Sequence, residues 1–235
     1  MQSLVDLIYT PLADWQESAR LAFAGALPAR YQRVSPDDLS EAAATTNNRF
    51  QLRVNASTGE RDVPFAALIA PRQERSGPYG GMSFVLFPSK EAGQPALIGM
   101  VVGTNGLAPD EDVLGRPGHA RKVRAITAWL RSRGAPFAWA KQDPVRIDLR
   151  LPRTVEPRLE HWDQAAERYG HVLYGLVVPP EERGQNDAVV EDALKAFLDL
   201  FFEERRIGVM AAARQDSERI RRSWMATTLP TTSDD

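Results

Sequence analysis

Between Arg116 and Arg158 the chain carries 11 Lys and Arg against 3 Asp and Glu, a local charge of +8 in a protein whose net charge is −2. Residues 1–115 hold 9 basic against 13 acidic side chains, and residues 159–235 hold 9 against 15. A block of this kind raises the local concentration of a polyanion, while the acidic remainder limits indiscriminate binding. Nucleic acid is the polyanion it suits best. Arg121, Lys122, Arg124, Arg131, Arg133 and Lys141 are the candidates for phosphate contact, which is sequence-independent and salt-sensitive. Trp129, Phe137 and Trp139 interleave aromatics with the charge. An exposed ring in a basic groove stacks on an unstacked or flipped base, whereas a buried one is core. Trp129 and Phe137 read as core. Trp139, between two alanines and close to Lys141, is the candidate for base contact, with Tyr79 on a Gly-rich loop as a second.

Other chemistry is thinner. Asp143 and Asp148 lie in the basic block beside Lys141, the ingredients of a Mg²⁺ nuclease, but no Lys stands two residues after the second carboxylate. Carboxylates among arginines more often form salt bridges. His119, His161 and His171 stand alone, with no HxxxH or HExxH spacing, and there is no cysteine, so neither a zinc site nor a thiol nucleophile is expected. No GxxxxGK[ST] segment and no GxSxG elbow occurs, so neither a phosphate-binding loop nor a catalytic residue is assigned, and no cofactor is expected. The absence of cysteine and of any apolar run near the roughly 20 residues of a membrane span fits a cytoplasmic protein with no membrane contact.

Periodicity assigns these residues to helices, strands and loops. Ser3–Ala24 has apolar residues at helical spacing interrupted by Pro11. Ser35-Pro36-Asp37-Asp38 opens a helix with a Ser cap and Pro at its first position, running out near Thr45-Thr46-Asn47-Asn48. Arg49–Val54 alternates as a half-buried strand, and strands follow at 63–70, 82–87 and 96–104, separated by a turn at 55–59 and a Gly/Pro-rich loop at 71–81. After a long loop at 105–117, a helix spans His119–Arg133, with Val123, Ile126 and Leu130 on one face, Arg121, Arg124 and Arg131 opposite, and Gly134 to end it. Segments 136–139 and 145–149 look extended. A short helix spans Glu160–Tyr169, and 171–178 is apolar enough for a strand, with a helix as the alternative. Asn186 caps an apolar helix through Phe201, an amphipathic stretch runs Arg214–Trp224, and 227–235 reads as a linker or tail.

Several of these segments together resemble one family. Val63-Pro64-Phe65 opening a strand, the loop carrying Tyr79, Phe84-Val85-Leu86-Phe87, and a strand ending Gly103-Thr104-Asn105-Gly106 are similar to the core of the N-terminal domain of McrB-type restriction ATPases. The run Ala165–Tyr174, then Val177-Val178-Pro179-Pro180-Glu181-Glu182, then Val190–Phe202, resembles that family's closing pattern. The family usually has Trp where Phe65 stands, and its Gly-rich segment before that strand is reduced to Asn55–Gly59. The resemblance implies a target-recognition module that reads DNA, often at a modified base, working with an AAA+ GTPase or ATPase motor and a separate nuclease.

The expected fold is α+β: a mixed or antiparallel sheet of about five strands flanked by helices, with a helical C-terminal third. It is expected as one recognition domain over 1–226, in which 159–226 could form a helical subdomain. The expected function is DNA recognition in an anti-phage restriction system. The alternatives are a protein–protein interaction module using the 116–158 strip, including +8 meeting −6 across subunits, and a nuclease using Asp143 and Asp148.

Overall fold

The computed structural model describes residues 1–40, 43, 48–74, 76–184 and 186–229. Helices α1 (Gln2–Ile8) and α2 (Trp15–Arg30) flank the expected break at Pro11. Ser35 and Asp38 form a reciprocal capping box, but the element they open is a 3-10 turn, Pro36–Leu39. Most of the expected remainder of that helix, 41–42 and 44–47, lies outside the described residues, as do 230–235 of the expected tail.

The sheet is built from β1 (Gln51–Asn55), β2 (Phe65–Ile69), β3 (Met82–Phe87) and β4 (Leu97–Val102). The chain continues through α3 (Glu111–Leu114) and α4 (Pro117–Ser132) to β5 (Phe137–Ala140). Then come α5 (Asp163–Tyr169), β6 (Leu173–Val178), α6 (Asp187–Glu204) and α7 (Ala211–Met225). All strand pairs are antiparallel, in the order β1-β2-β3-β4-β6-β5. The segment expected as either strand or helix, 171–178, supplies β6, while 145–149, expected as extended, consists of turns.

The register defines two faces. Leu52, Leu68, Phe84, Met100, Gly175 and Ala140 are successive partners across all six strands. Phe23 of α2 meets Phe84 edge to face at 6.4 Å, and Val123 of α4 lies so close to Gly175 that a Cβ there would stand 2.7 Å from its Cγ1. Helices α2, α4 and α6 cover this face. The other face carries Arg53, Ala67, Val85, Gly99, Leu176 and Trp139 as successive partners. There Tyr169 of α5 stacks on Phe87 at 5.7 Å, and Ser89 donates to the carbonyl of His161.

Gly134 terminates α4, as expected, just past its C-cap Arg133. Its φ is +96°, the Gly134 N–H bonds Arg131 O, and the Ala135 N–H reaches back to Leu130 O at 3.0 Å. Asn186 stands at the start of α6, yet its side chain donates to the carbonyl of Glu182 and does not cap the helix.

Helix α6 is tied to α2 and α7 by charge. Asp199 accepts both Nε and Nη2 of Arg30 at 2.7 and 2.6 Å, the Tyr31 hydroxyl at 2.7 Å and the Ser217 hydroxyl at 2.8 Å. The remaining Arg30 nitrogen, Nη1, donates to Asp216 at 3.0 Å, and Arg30 is only 5% exposed. Beside this cluster Tyr31 stacks on Phe202 with centroids 4.0 Å apart. Without Asp199, buried Arg30 keeps only the Nη1 bond to Asp216, and the Tyr31 and Ser217 hydroxyls lose their acceptor. Asp199→Ala is therefore expected to cost about 3–5 kcal/mol of unfolding free energy. Arg146→Ala, at an exposed pair with Asp148, is expected to cost at most about 1 kcal/mol. Urea titration of both variants checks the contrast.

Candidate functional sites

The basic block does not present its charge as one strip. Lys122 pairs with Glu204 at 3.0 Å and Glu203 at 3.7 Å, and Arg133 with Asp192 at 3.2 Å, all on α6. Arg131 donates to the carbonyl of Ala138 at 3.3 Å, and Arg158 lies over the Phe137 ring. The charge complementarity between the basic block and the acidic last third is thus satisfied within one chain for Lys122 and Arg133.

Lys141 departs furthest from its expected role. It is 7% exposed, and its ammonium donates to the carbonyls of Arg146, Leu149 and His171 at 2.6, 2.9 and 2.9 Å. All three ammonium hydrogens are used, so Lys141 pins the 141–150 loop to the start of β6 and has none left for a phosphate. Burial holds it below the ordinary lysine value, with the Asp148 and Asp143 charges opposing. The carboxylates weighed for a nuclease are also engaged. Asp143 accepts the Val145 N–H, and Asp148 accepts Nε and Nη2 of Arg146, both at 2.9 Å.

Trp139 is 5% exposed and shares a sheet row with Leu176, so in this structure its ring is core and offers no face to a base. What remains free on α4 is Arg121 and Arg124, with Arg116 just before its first turn. Among the described residues none of the three side chains has an ion-pair or hydrogen-bond partner.

Tyr79 lies on the opposite face of the sheet from α4, so the expected phosphate and base contacts do not form one surface. Two Gly-rich segments fix its position. The Asn105 N–H donates to Tyr79 O, the Gly81 N–H to Gly106 O, and the Gly103 N–H to Gly81 O, at 2.8–2.9 Å. The backbones approach so closely that a Cβ on Gly103 would stand 2.1 Å from Tyr79 O. The two Gly-rich segments thus interlock in space.

Tyr79 lines a cavity of about 460 Å³ whose wall also includes Arg53, Asn55, Thr104, Arg168 and Tyr169. The Arg53 guanidinium stands 5.1 Å from the Tyr79 ring centroid and donates through Nη1 to Gly77 O at 2.8 Å. Burial pushes the Tyr79 hydroxyl up to about 12 and pulls Arg53 below its ordinary value. The alternation of β1 marks Gln51 and Arg53 only as the polar side of a half-buried strand, yet both are buried. No local signal distinguishes such a face from a solvated one. Arg168 and Tyr169 likewise read as an ordinary helix end, and α5 alone brings them to the cavity.

Neither family models, curated proteins nor solved structures provide a match to this chain. Among the described residues no helix is long and apolar enough to cross a membrane, and no three His, Asp or Glu side chains converge as metal ligands would.

Beneath α4, the Tyr174 hydroxyl meets Nε2 of the buried His119 at 3.1 Å, while Nδ1 stands 3.6 Å from Glu204, at ion-pair range. Lys122 donates to the same Glu204 carboxylate at 3.0 Å. The carboxyl is held at about 2 by His119, against burial, with Lys122 reinforcing. Burial pushes Asp216 up, but Lys195, Arg219 and Arg30 together outweigh it and hold that carboxyl well below its ordinary range. A carboxylate whose folded value lies below its unfolded one stabilises fully above the unfolded value and loses that contribution as pH falls toward the folded one. Stability is expected to decline from about pH 4.5 toward pH 2. Glu204→Gln should flatten that decline while lowering stability at pH 6, measured as urea midpoints across the range.

The glycine contact gives a second expectation. Gly103→Ala should cost about 1–3 kcal/mol through forced separation of the two loops. Gly118→Ala, with open space around its Cβ at the start of α4, should be neutral or stabilising by chemical denaturation.

Proposed function

We propose that this protein is a nucleic-acid recognition module of a restriction-type defence system, holding the backbone through α4. The observation that carries the reading is the set of three unpaired arginines, Arg116, Arg121 and Arg124, on one end of a helix that also carries Lys122, neutralised by α6. An arginine with no internal acid gains most from a phosphate, since it gives up only water to bind. The family resemblance supplies the expectation of DNA as the polymer, and of a motor and a nuclease as partners. The rival reading, a basic strip docking on an acidic protein, is weakened for Lys122 and Arg133, whose acids stand on α6 of the same chain.

Three phosphate contacts predict a log–log salt slope of about −3, and about a 40-fold loss of affinity between ~50 and ~200 mM salt. A block acting with all its cations would give a slope more than twice as steep. Fluorescence anisotropy with labelled duplexes, unmodified and cytosine-methylated, measures this slope and any preference between them. Arg121→Glu/Arg124→Glu is expected to weaken binding at least tenfold and reduce the slope to about −1. Arg133→Ala should stay within about twofold. Absence of binding at ~50 mM salt, or binding untouched by the double variant, would overturn the reading.

A further inference from the structure

The cavity beside Tyr79 contains a buried cation with no counter-ion among the described residues. Arg53 is 8% exposed, and of its guanidinium nitrogens only Nη1 has a hydrogen-bond partner, the carbonyl of Gly77. Nε and Nη2 are sealed from solvent and donate to nothing. The side chains that act on Arg53 most are Tyr79 and Tyr169, both neutral at ordinary pH, and no carboxylate stands within ion-pair reach among the described residues. Asp62, an acid in the cavity wall, accepts the Ser57 hydroxyl instead. A buried charged donor without a partner is costly, because it has lost water and gained nothing.

The two idle nitrogens are the same edge of the guanidinium that grips a carboxylate elsewhere in this chain. Arg30 uses Nε and Nη2 for the two oxygens of Asp199, and Arg146 uses Nε and Nη2 for the two oxygens of Asp148. The edge fits a pair of oxygens on one carbon or phosphorus, as in a carboxylate or a phosphate. At Arg53 no oxygen of the described residues takes it. A second cation, Arg168, lies in the same wall with its guanidinium over Tyr169, and Phe65, Val63 and Val101 supply apolar lining.

We propose that this cavity is a binding site for a small organic oxyanion, whose two oxygens take the Nε–Nη2 edge of Arg53 and whose apolar body lies against the lining supplied by Phe65, Val63 and Val101. The volume of about 460 Å³ is in the range of small-molecule sites and far larger than one ion needs. Binding requires the guanidinium to turn its free edge into the cavity whose wall it already forms. The rim at Ser76–Pro78 is exposed, so the ligand enters from solvent on the side of the sheet away from α4. The site therefore stands independently of nucleic-acid binding by Arg121 and Arg124.

The chemistry is shared by two sources, a nucleoside monophosphate and an aromatic carboxylate. The test is isothermal titration of the full chain with adenosine 5′-monophosphate, benzoate and inorganic phosphate, with adenosine and benzyl alcohol as uncharged controls. Binding of one organic anion, with the matching uncharged control and phosphate at least tenfold weaker, is the expected result and identifies the source. Arg53→Met keeps the length and removes the charge. It is expected to fold with a urea midpoint equal to or above that of the parent, and to lose at least tenfold in affinity. Arg121→Glu/Arg124→Glu should bind the anion as the parent does. If Arg53→Met is poorly folded, Arg53→Lys, which retains a charge but not the two-donor edge, replaces it, with the same tenfold loss expected. Three results would overturn the proposal: no heat with any of the anions at millimolar concentration, equal binding of the uncharged controls, or full affinity in the folded Arg53 variants.

Discussion

The buried pair between Arg30 and Asp199 is the constraint on which the arrangement of this protein rests. It joins the last turn of α2 to the middle of α6, 169 residues apart, and through Ser217 and Asp216 it draws in α7. Two charges taken out of water must meet in good geometry or the fold loses more than it gains. That requirement fixes both the axial position and the rotation of α6. Once α6 is so placed, its apolar side, from Val190 through Phe197 and Phe201, lies on the sheet, and its acidic flank, Asp192, Glu203 and Glu204, faces α4.

The charge left for a partner is set by that placement. A run of basic residues that would act as one polyanion-binding strip on an isolated helix is divided in the folded chain. Lys122 and Arg133 neutralise α6, Lys141 ties down a loop, and Arg121 and Arg124 stay free with Arg116. The +8 of the block is a property of the sequence, and the smaller charge that reaches solvent is a property of the packing. The two sheet faces divide the molecule's chemistry in the same way. Gly175 and Ala140 keep the sheet low under α4 on one face, whereas on the other Arg53 and Trp139 occupy the two ends of a single cross-strand row. At one end the row is closed over a tryptophan. At the other it ends in a buried arginine that lines a cavity.

The glycines make the second face specific. Gly80 and Gly103 let the two loops approach at distances no Cβ permits, Gly81 and Gly106 supply the positive φ that their turns need, and Tyr79 is carried on one of those loops. The cavity wall is therefore anchored to backbone at Tyr79, to an edge strand at Arg53 and to a helix end at Tyr169, three elements far apart along the chain.

Much of this was legible in order along the chain. Alternation and apolar runs located β1 to β4, Gly134 marked the end of α4, and the broad apolar stripe located α6, because each depends on neighbours two to four residues away. Local pattern left 171–178 ambiguous, since an apolar run suits a buried strand or a buried helix, and only pairing with β4 and β5 made it a strand. The same limit applied to the sites. Residue types singled out Tyr79, Arg121 and Arg124, which remain unpaired or line a cavity, alongside Trp139 and Lys141, which the fold consumes. Arg53 carries no such signal, because a polar residue in an alternating strand looks the same whether its face meets water or a cavity. Neighbouring residues along the chain were enough to settle most of the elements and the sign of the charge in each block. Which cations are neutralised and which face stays open was settled by packing alone, because ion pairing and burial depend on residues tens of positions away being brought within a few ångströms.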